Sequence, residues 1–237
     1  DTYSSSENPV LLYSVGKDSS VLTHLFKKAF YPLKVPVKLL HVDTTWKFKE
    51  MIKFRDDYAL KNNLDLIVYK NQDAIKKDIN PFNSKNYTDI MKTETLKKAL
   101  DEYGFDMIYG GARRDEEASR SKERVLSVRD KYHSWDPRNQ RIEPWLIFNT
   151  EKIIDQTFRV FPISNWTELN VWEYIKQESI EIVPLYFAKN REVVVRDDEI
   201  YLYDDKRFQL KNTDEIKKLK VRFRTLGCYP LTAGIES

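Results

Sequence analysis

The residues with the clearest chemistry are Ser14-Val15-Gly16-Lys17-Asp18-Ser19-Ser20. They follow a short apolar run, Val10-Leu11-Leu12-Tyr13. They lead directly into Val21, Leu22, Leu25, Phe26, Ala29 and Phe30, which share one face at helical spacing. A strand feeding a small-residue turn and then a helix N-terminus is an anion-binding arrangement. The first amide groups of a helix lack partners within it, and the helix dipole favours negative charge there. Gly16 removes the Cβ that would keep a ligand off the backbone. Lys17 supplies a point charge, and Ser14, Ser19 and Ser20 supply hydroxyl donors. A phosphate chain suits such a turn. The competing reading is a plain helix cap by Ser19; the agreement of strand, turn and helix signals weighs against it.

A second set is Gly110-Gly111-Ala112-Arg113-Arg114-Asp115-Glu116-Glu117. Paired glycines after an apolar run permit close backbone approach, and two guanidinium groups offer paired planar donors for a tetrahedral dianion. Arg120, Lys122 and Arg124 continue the block. A solvated mixed-charge segment, with Glu116 and Arg120 paired at the surface, is the alternative. It suits Lys122 and Glu123, whereas Arg113 and Arg114 suit the anion role. A third set is Asp43-Thr44-Thr45-Trp46. Here Asp43 can bind ribose or help hold a metal and Thr44 can touch a base, or Asp43 can simply make an Asx turn capping the next helix. These two readings stand level.

Alternating elements must position these residues. Strands are expected over residues 10–13, 37–42, 64–69, 105–109 and 158–162. One helix is expected directly behind the Ser14–Ser19 turn, carrying Val21 to Phe30, and others over 47–62 and 89–103, the last stopping at Gly104, a C′ residue. Another helix opens near Thr167. The pattern predicts an α/β fold: a parallel, twisted sheet of about five strands, helices on both faces and right-handed crossovers. Ligands in such sheets lie beyond the carboxyl ends of the strands, where all three sets fall. Residues 71–87 read as a polar connection, and 112–157 are dense in charge and poor in periodicity. Val193 to Val195 and Ile200 to Tyr203 flank Arg196-Asp197-Asp198-Glu199 as a hairpin. The rest, 204–237, reads as a basic tail bearing Tyr and Phe. The expected division is a nucleotide-binding domain over 8–180 and an extension over 181–237.

The totals exclude several classes. The 237 residues are 41% hydrophobic and 32% charged, with a net charge of +3. That small surplus argues against nucleic-acid binding. No apolar run reaches the roughly 18 residues of a membrane span. The single cysteine, Cys228, excludes an internal disulfide or a Cys-rich metal centre within these residues. A cytoplasmic location is the default expectation. His24 and His41 read as structural and His133 as part of a loop covering the site; none forms a metal pair. Trp135, Trp145, Trp166 and Trp172 read as packing residues, and Cys228 as a packed thiol.

The phosphate turn lacks the earlier glycine of the common Gly-x4-Gly-Lys-Ser/Thr loop, and Asp18 follows Lys17. Ser-x-Gly-Lys-Asp-Ser instead resembles the pyrophosphate loop of the ATP pyrophosphatase superfamily, whose members cut ATP between the α and β phosphates. Further blocks narrow the resemblance: His41-Val42-Asp43-Thr44, Thr88-Asp89-Ile90-Met91-Lys92-Thr93-Glu94, the run from Gly110 to Arg124, Trp135-Asp136-Pro137, the run from Val160 to Glu168, and Val221-Arg222-Phe223-Arg224-Thr225-Leu226-Gly227-Cys228. Together they are similar to the small subunit of bacterial sulfate adenylyltransferase, over nearly the whole chain.

The resemblance implies an adenine nucleotide alpha hydrolase-like fold, and a reaction in which ATP and sulfate give adenosine 5′-phosphosulfate and pyrophosphate, with Mg²⁺. It also implies a separate large GTPase subunit whose GTP hydrolysis drives the equilibrium. On this reading Ser14, Gly16, Lys17, Asp18, Ser19, Ser20, Asp43, Thr44, Gly110 and Gly111 bind ATP. Lys17 stabilises the leaving group. Arg113 and Arg114 act on sulfate or the α-phosphate, with Arg120 in support, and Asp18 orients the loop or contacts Mg²⁺. Two alternatives are a phosphoadenylyl-sulfate reductase and a non-catalytic nucleotide-binding regulatory subunit. The first needs a redox cysteine, but Cys228 is followed by Tyr-Pro-Leu, not the Gly-Leu-His of reductases.

Overall fold

A computed structural model describes residues 2–151, 153 and 155–237. The chain forms two compact units. The first comprises Asp1–His41, Asn63–Val68 and Leu96–Glu181, and the second Val42–Asn62, Tyr69–Thr95 and Ile182–Ser237.

In the first unit, β1 (Pro9–Leu12) leads into α1 (Lys17–Phe30) and then β2 (Lys38–Val42). Val21, Leu22 and Phe26 form the buried stripe of α1, and Lys27 and Lys28 sit in its last turn, where they complement the dipole. β3 (Leu66–Tyr69), β4 (Met107–Tyr109), β5 (Leu126–Arg129) and β6 (Thr157–Val160) complete a sheet of order β3-β2-β1-β4-β6-β5. β1 pairs in parallel with β2 and β4, and β4 with β6. The expected α/β sheet is thus present, with one strand more than expected. β5 runs antiparallel to β6 at the edge, inside the segment that reads as aperiodic. It is short, and one of its faces carries Ser127 and Arg129 rather than apolar residues.

α5 (Glu168–Gln177) opens on Thr167. The Thr167 hydroxyl accepts from Asn170 N–H, and the Asn170 side chain accepts in return from Thr167 N–H, a reciprocal cap.

The second unit holds α2 (Lys49–Lys61), α3 (Gln72–Lys76) and a π-helical segment, Asp89–Glu94; the helix that follows, α4 (Thr95–Tyr103), belongs from Leu96 onward to the first unit. α4 stops at Gly104, whose φ of +62° fits the expected C′ role. The second unit's own sheet, of order β10-β9-β7-β8, is antiparallel: β7 (Lys189–Arg196), β8 (Glu199–Leu202), β9 (Ile216–Arg222) and β10 (Ile235–Glu236). The β7–β8 hairpin matches the sequence pattern. The basic tail does not remain a tail, because Lys217, Lys218 and Lys220 lie in β9. There Val221 is fully buried while the lysines face outward or sit at the rim. Trp46, Phe48, Phe223 and Tyr229 form this unit's aromatic core, with Phe48 and Phe223 centroids 5.0 Å apart. Among the described residues no helix is long and apolar enough to cross a membrane.

Candidate functional site

The turn after β1 is held by its own side chains. Val15 takes a left-handed φ of +69°, and Gly16 is the N-cap of α1 in extended backbone, with no side chain capping the helix. Ser19 therefore does not serve as the N-cap. Its hydroxyl donates to Gly16 O at 2.9 Å and accepts from the Ser14 hydroxyl at 3.2 Å. Ser20 is fully buried, and its hydroxyl has no hydrogen-bond partner. A buried hydroxyl without a partner beside an uncapped helix N-terminus is what an anion would satisfy.

Lys17 is only 5% exposed. Its ammonium lies 3.3 Å from Asp18 Oδ2 and 3.5 Å from Glu168 Oε1 at the start of α5. The other Asp18 oxygen, Oδ1, accepts from Arg113 Nε at 2.7 Å. Arg113 is 3% exposed and also donates to Asp115 Oδ2 at 3.3 Å. Asp115 Oδ2 in turn accepts from Glu168 N–H at 3.1 Å. The phosphate turn, the arginine block and the α5 N-terminus are thus one ionic cluster, in a setting where charge pairs are poorly screened.

Gly111 shows why the glycine pair is needed. A Cβ there would stand 3.0 Å from Asp18 C and 3.1 Å from Ser19 N, both backbone atoms. At Gly110 a Cβ would meet the Phe161 ring at 3.0 Å. Arg114 Nε donates to Glu123 O and Arg114 Nη1 to Asn165 Oδ1, both at 2.7 Å. Arg120 stands apart from this cluster, half-exposed and paired with Glu116 at 2.6 Å and Glu117 at 2.5 Å. Glu168, as a partner of Lys17, is a residue that sequence reasoning missed; an acidic residue in the first turn of α5 carries no local signal of a partner so distant in sequence.

The Asp43–Thr44 turn belongs to the second unit. Asp43 Oδ1 accepts from Thr45 N–H at 2.8 Å, the Asx geometry. Its Oδ2 faces Lys70 Nζ at 3.5 Å and Arg55 Nη1 at 3.7 Å. Thr44 is fully buried; its hydroxyl lies 3.5 Å from Cys228 Sγ, and its carbonyl accepts from the Tyr87 hydroxyl at 2.8 Å. Burial raises the Tyr87 pKa, so that phenol stays neutral. Burial lowers the pKa of Lys47 in the same unit. Arg55, Lys70 and Lys47 were not singled out from sequence.

The histidines pack. His41 Nδ1 lies 2.8 Å from Tyr13 O, His24 Nε2 3.3 Å from Glu178 Oε2, and His133 Nε2 2.8 Å from Asp101 Oδ1. Among the described residues no group of three His, Cys, Asp or Glu could hold a metal ion. Both carboxylate oxygens of Asp18 already face cations, so the cluster does not fit a resident metal.

The model of the phosphoadenosine phosphosulfate reductase domain matches residues 8–234, which defines the class. A sulfate adenylyltransferase subunit 2 from Aeromonas hydrophila is 61% identical over 233 residues, spanning 98% of this chain and 77% of that one. Another from Rhizobium is 60% identical over 231 residues, spanning 97% of this chain and 77% of that one. The chain belongs to the sulfate adenylyltransferase subunit 2 family. Among solved structures, a phosphoadenylyl-sulfate reductase from Candida auris superimposes with a TM-score of 0.52 at 18% identity, covering 76% of each chain. An FMN adenylyltransferase from Candida glabrata, solved with ATP, gives 0.53 at 15% identity, covering 86% of this chain and 60% of that one. At such identities these two likenesses speak to fold alone.

Proposed function

We propose that this chain transfers the adenylyl group of ATP to sulfate, releasing pyrophosphate, and that a separate GTPase subunit drives the reaction. A sulfate oxygen attacks the α-phosphorus, the bond from that phosphorus to the α,β-bridging oxygen breaks, and pyrophosphate leaves with the electron pair. Sulfate is a dianion at neutral pH, so nothing need deprotonate it. The protein's task is to hold two repelling anions in line and to stabilise the leaving group. The cluster's carboxylates, Asp18, Glu168 and Asp115, are engaged with Lys17 and Arg113, an arrangement that holds cations in place and suits that task.

The observation that carries the reading is the N-terminus of α1: uncapped, with buried Lys17 and the unpartnered Ser20 hydroxyl beside it. We assign residues 14–20 to the β and γ phosphates and Lys17 to the charge on leaving pyrophosphate. Of the two roles open to Asp18, orienting the loop is the one its bonds to Arg113 and Lys17 favour. Mg²⁺ would be part of the ATP substrate, where its charge would offset that of the phosphates. Gly110 and Gly111 are assigned to ATP as well; Gly111 lets its strand end lie against the turn, and Gly110 leaves room for the Phe161 ring. Arg113 and Arg114 are assigned to sulfate or the α-phosphate, with Arg120 in support, and Asp43 and Thr44 to the nucleoside. A cytoplasmic location accompanies this reading.

The test supplies radiolabelled sulfate and ATP together with the candidate GTPase subunit. Label should enter an adenine nucleotide in step with pyrophosphate. ATP binding with no labelled nucleotide under any condition would remove the catalytic role and leave a nucleotide-binding regulatory subunit.

A further inference from the structure

The polar face of the β5–β6 pair carries a group of donors that the proposed reaction does not use. In the antiparallel register Ser127 stands opposite Arg159, and Arg129 opposite Thr157. Side chains two apart on a strand share a face, and directly opposed pairs are close neighbours. All four therefore share one face. The other face of the pair is apolar, with Leu126, Val128, Phe158 and Val160 buried.

This face is short of acceptors. Arg129 Nη2 donates to Glu123 Oε1 at 2.9 Å, but Arg129 Nε is buried without a partner. The hydroxyls of Ser127 and Thr157 are likewise buried and unpartnered, and Ser127 is fully buried. Among the described residues the Arg159 side chain has no hydrogen-bond partner, and the one carboxylate whose charge acts on it is Glu123. Burial, and after it the nearby Arg129, pushes the Arg159 pKa down to about 10, so the group remains charged at neutral pH. The Trp135 ring lies 5.6 Å from the Arg129 guanidinium. Two guanidinium groups thus share one carboxylate, Glu123, and three neighbouring donors are unfilled. A charge surplus of this kind with unmade hydrogen bonds is costly unless an anion supplies acceptors.

We propose that Arg159, Arg129, Ser127 and Thr157 form a binding site for a tetrahedral oxyanion, distinct in its residues from the phosphate turn at 14–20. Four acceptor oxygens match two forked guanidinium groups and two hydroxyls. The site also touches the arginine block through one residue. The Glu123 carboxylate holds Arg129, while its backbone carbonyl accepts from Arg114. The proposal does not depend on the adenylyl-transfer reaction.

The experiment titrates the purified chain, without nucleotide, with sodium sulfate and in parallel with sodium phosphate. Chloride keeps ionic strength constant, and the readouts are Tm and binding heat. Wild type and Lys17→Ala should both show a saturating rise in Tm. Arg159→Met should lose most of that rise, keeping at most the part supplied by sulfate at Arg113 and Arg114, while its Tm in chloride alone equals or exceeds wild type, because a poorly paired cation has been removed. A purely structural arginine would instead lower Tm in both buffers. Should Arg159→Met not fold, Ser127→Ala supplies the test, with sulfate affinity falling about tenfold at unchanged Tm in chloride. A response to both anions, or to one alone, supports the site and reports its selectivity. An unchanged response in these variants, a response lost in Lys17→Ala, or none beyond the chloride control would overturn it.

Discussion

Arg113 Nε donates to Asp18 Oδ1 at 2.7 Å, joining two sequence motifs 95 residues apart. The loop that would grip a phosphate chain is therefore braced by the arginine block. Removing the guanidinium would leave Asp18 facing Lys17 alone. Arg113→Ala is expected to cost roughly 3 kcal/mol of stability, read from denaturant midpoints, and to abolish turnover. Arg113→Lys restores charge but not the fork, and should recover stability more than rate. Equal recovery of both would argue against a geometric role.

Gly111 should tolerate no side chain. Gly111→Ala places a carbon against the Asp18 and Ser19 backbone, so the turn must shift and the KM for ATP should rise at least about tenfold. Gly104→Ala is the contrasting variant. Nothing lies within 4 Å of its added carbon, but its φ is +62°. It should cost about 1–2 kcal/mol with catalysis untouched.

Arg120 tests how far the anion role extends beyond the buried arginines. Its pairs with Glu116 and Glu117 are partly exposed, so Arg120→Ala should change stability by less than about 1 kcal/mol. If Arg120 supports sulfate, the KM for sulfate rises while that for ATP holds. An unchanged sulfate KM would reduce it to a surface pair.

The antiparallel sheet predicts an acid sensitivity of its own. Hydrogen bonding to Arg196 and to Lys211 N–H holds the Asp214 carboxyl below the usual aspartate range. A depressed folded-state pKa adds stability above the unfolded value, and that stability is lost as pH falls through the folded one. Wild type should therefore exceed Asp214→Asn in Tm at pH 7. The gap should shrink as pH falls below about 4. A gap constant from neutral to strongly acid pH would contradict this.

The sequence pattern was most legible where period and punctuation agreed. Residues 21–30 carry an apolar stripe behind a glycine turn, and 193–203 carry a Val run and an Ile-Tyr-Leu-Tyr run around Asp197-Asp198; both form the expected elements. β5 was hidden because its second face is polar and buried, which breaks the alternation that marks a strand. β9 was hidden because lysines fill its outward positions, so only Val221 reports the core. At the site, the phosphate turn and arginine block were visible as local motifs. The bonds from Asp18 to Arg113 and from Lys17 to Glu168 were not, because they join residues distant in sequence and carry no local period.

The most direct test of the central claim measures pyrophosphate from ATP and Mg²⁺ with the candidate GTPase subunit present, with and without sulfate and GTP, for wild type and Lys17→Ala. The account predicts sulfate-dependent release that GTP enhances and that Lys17→Ala loses while keeping wild-type circular dichroism. Release indifferent to sulfate, or near wild-type release from Lys17→Ala, would contradict it.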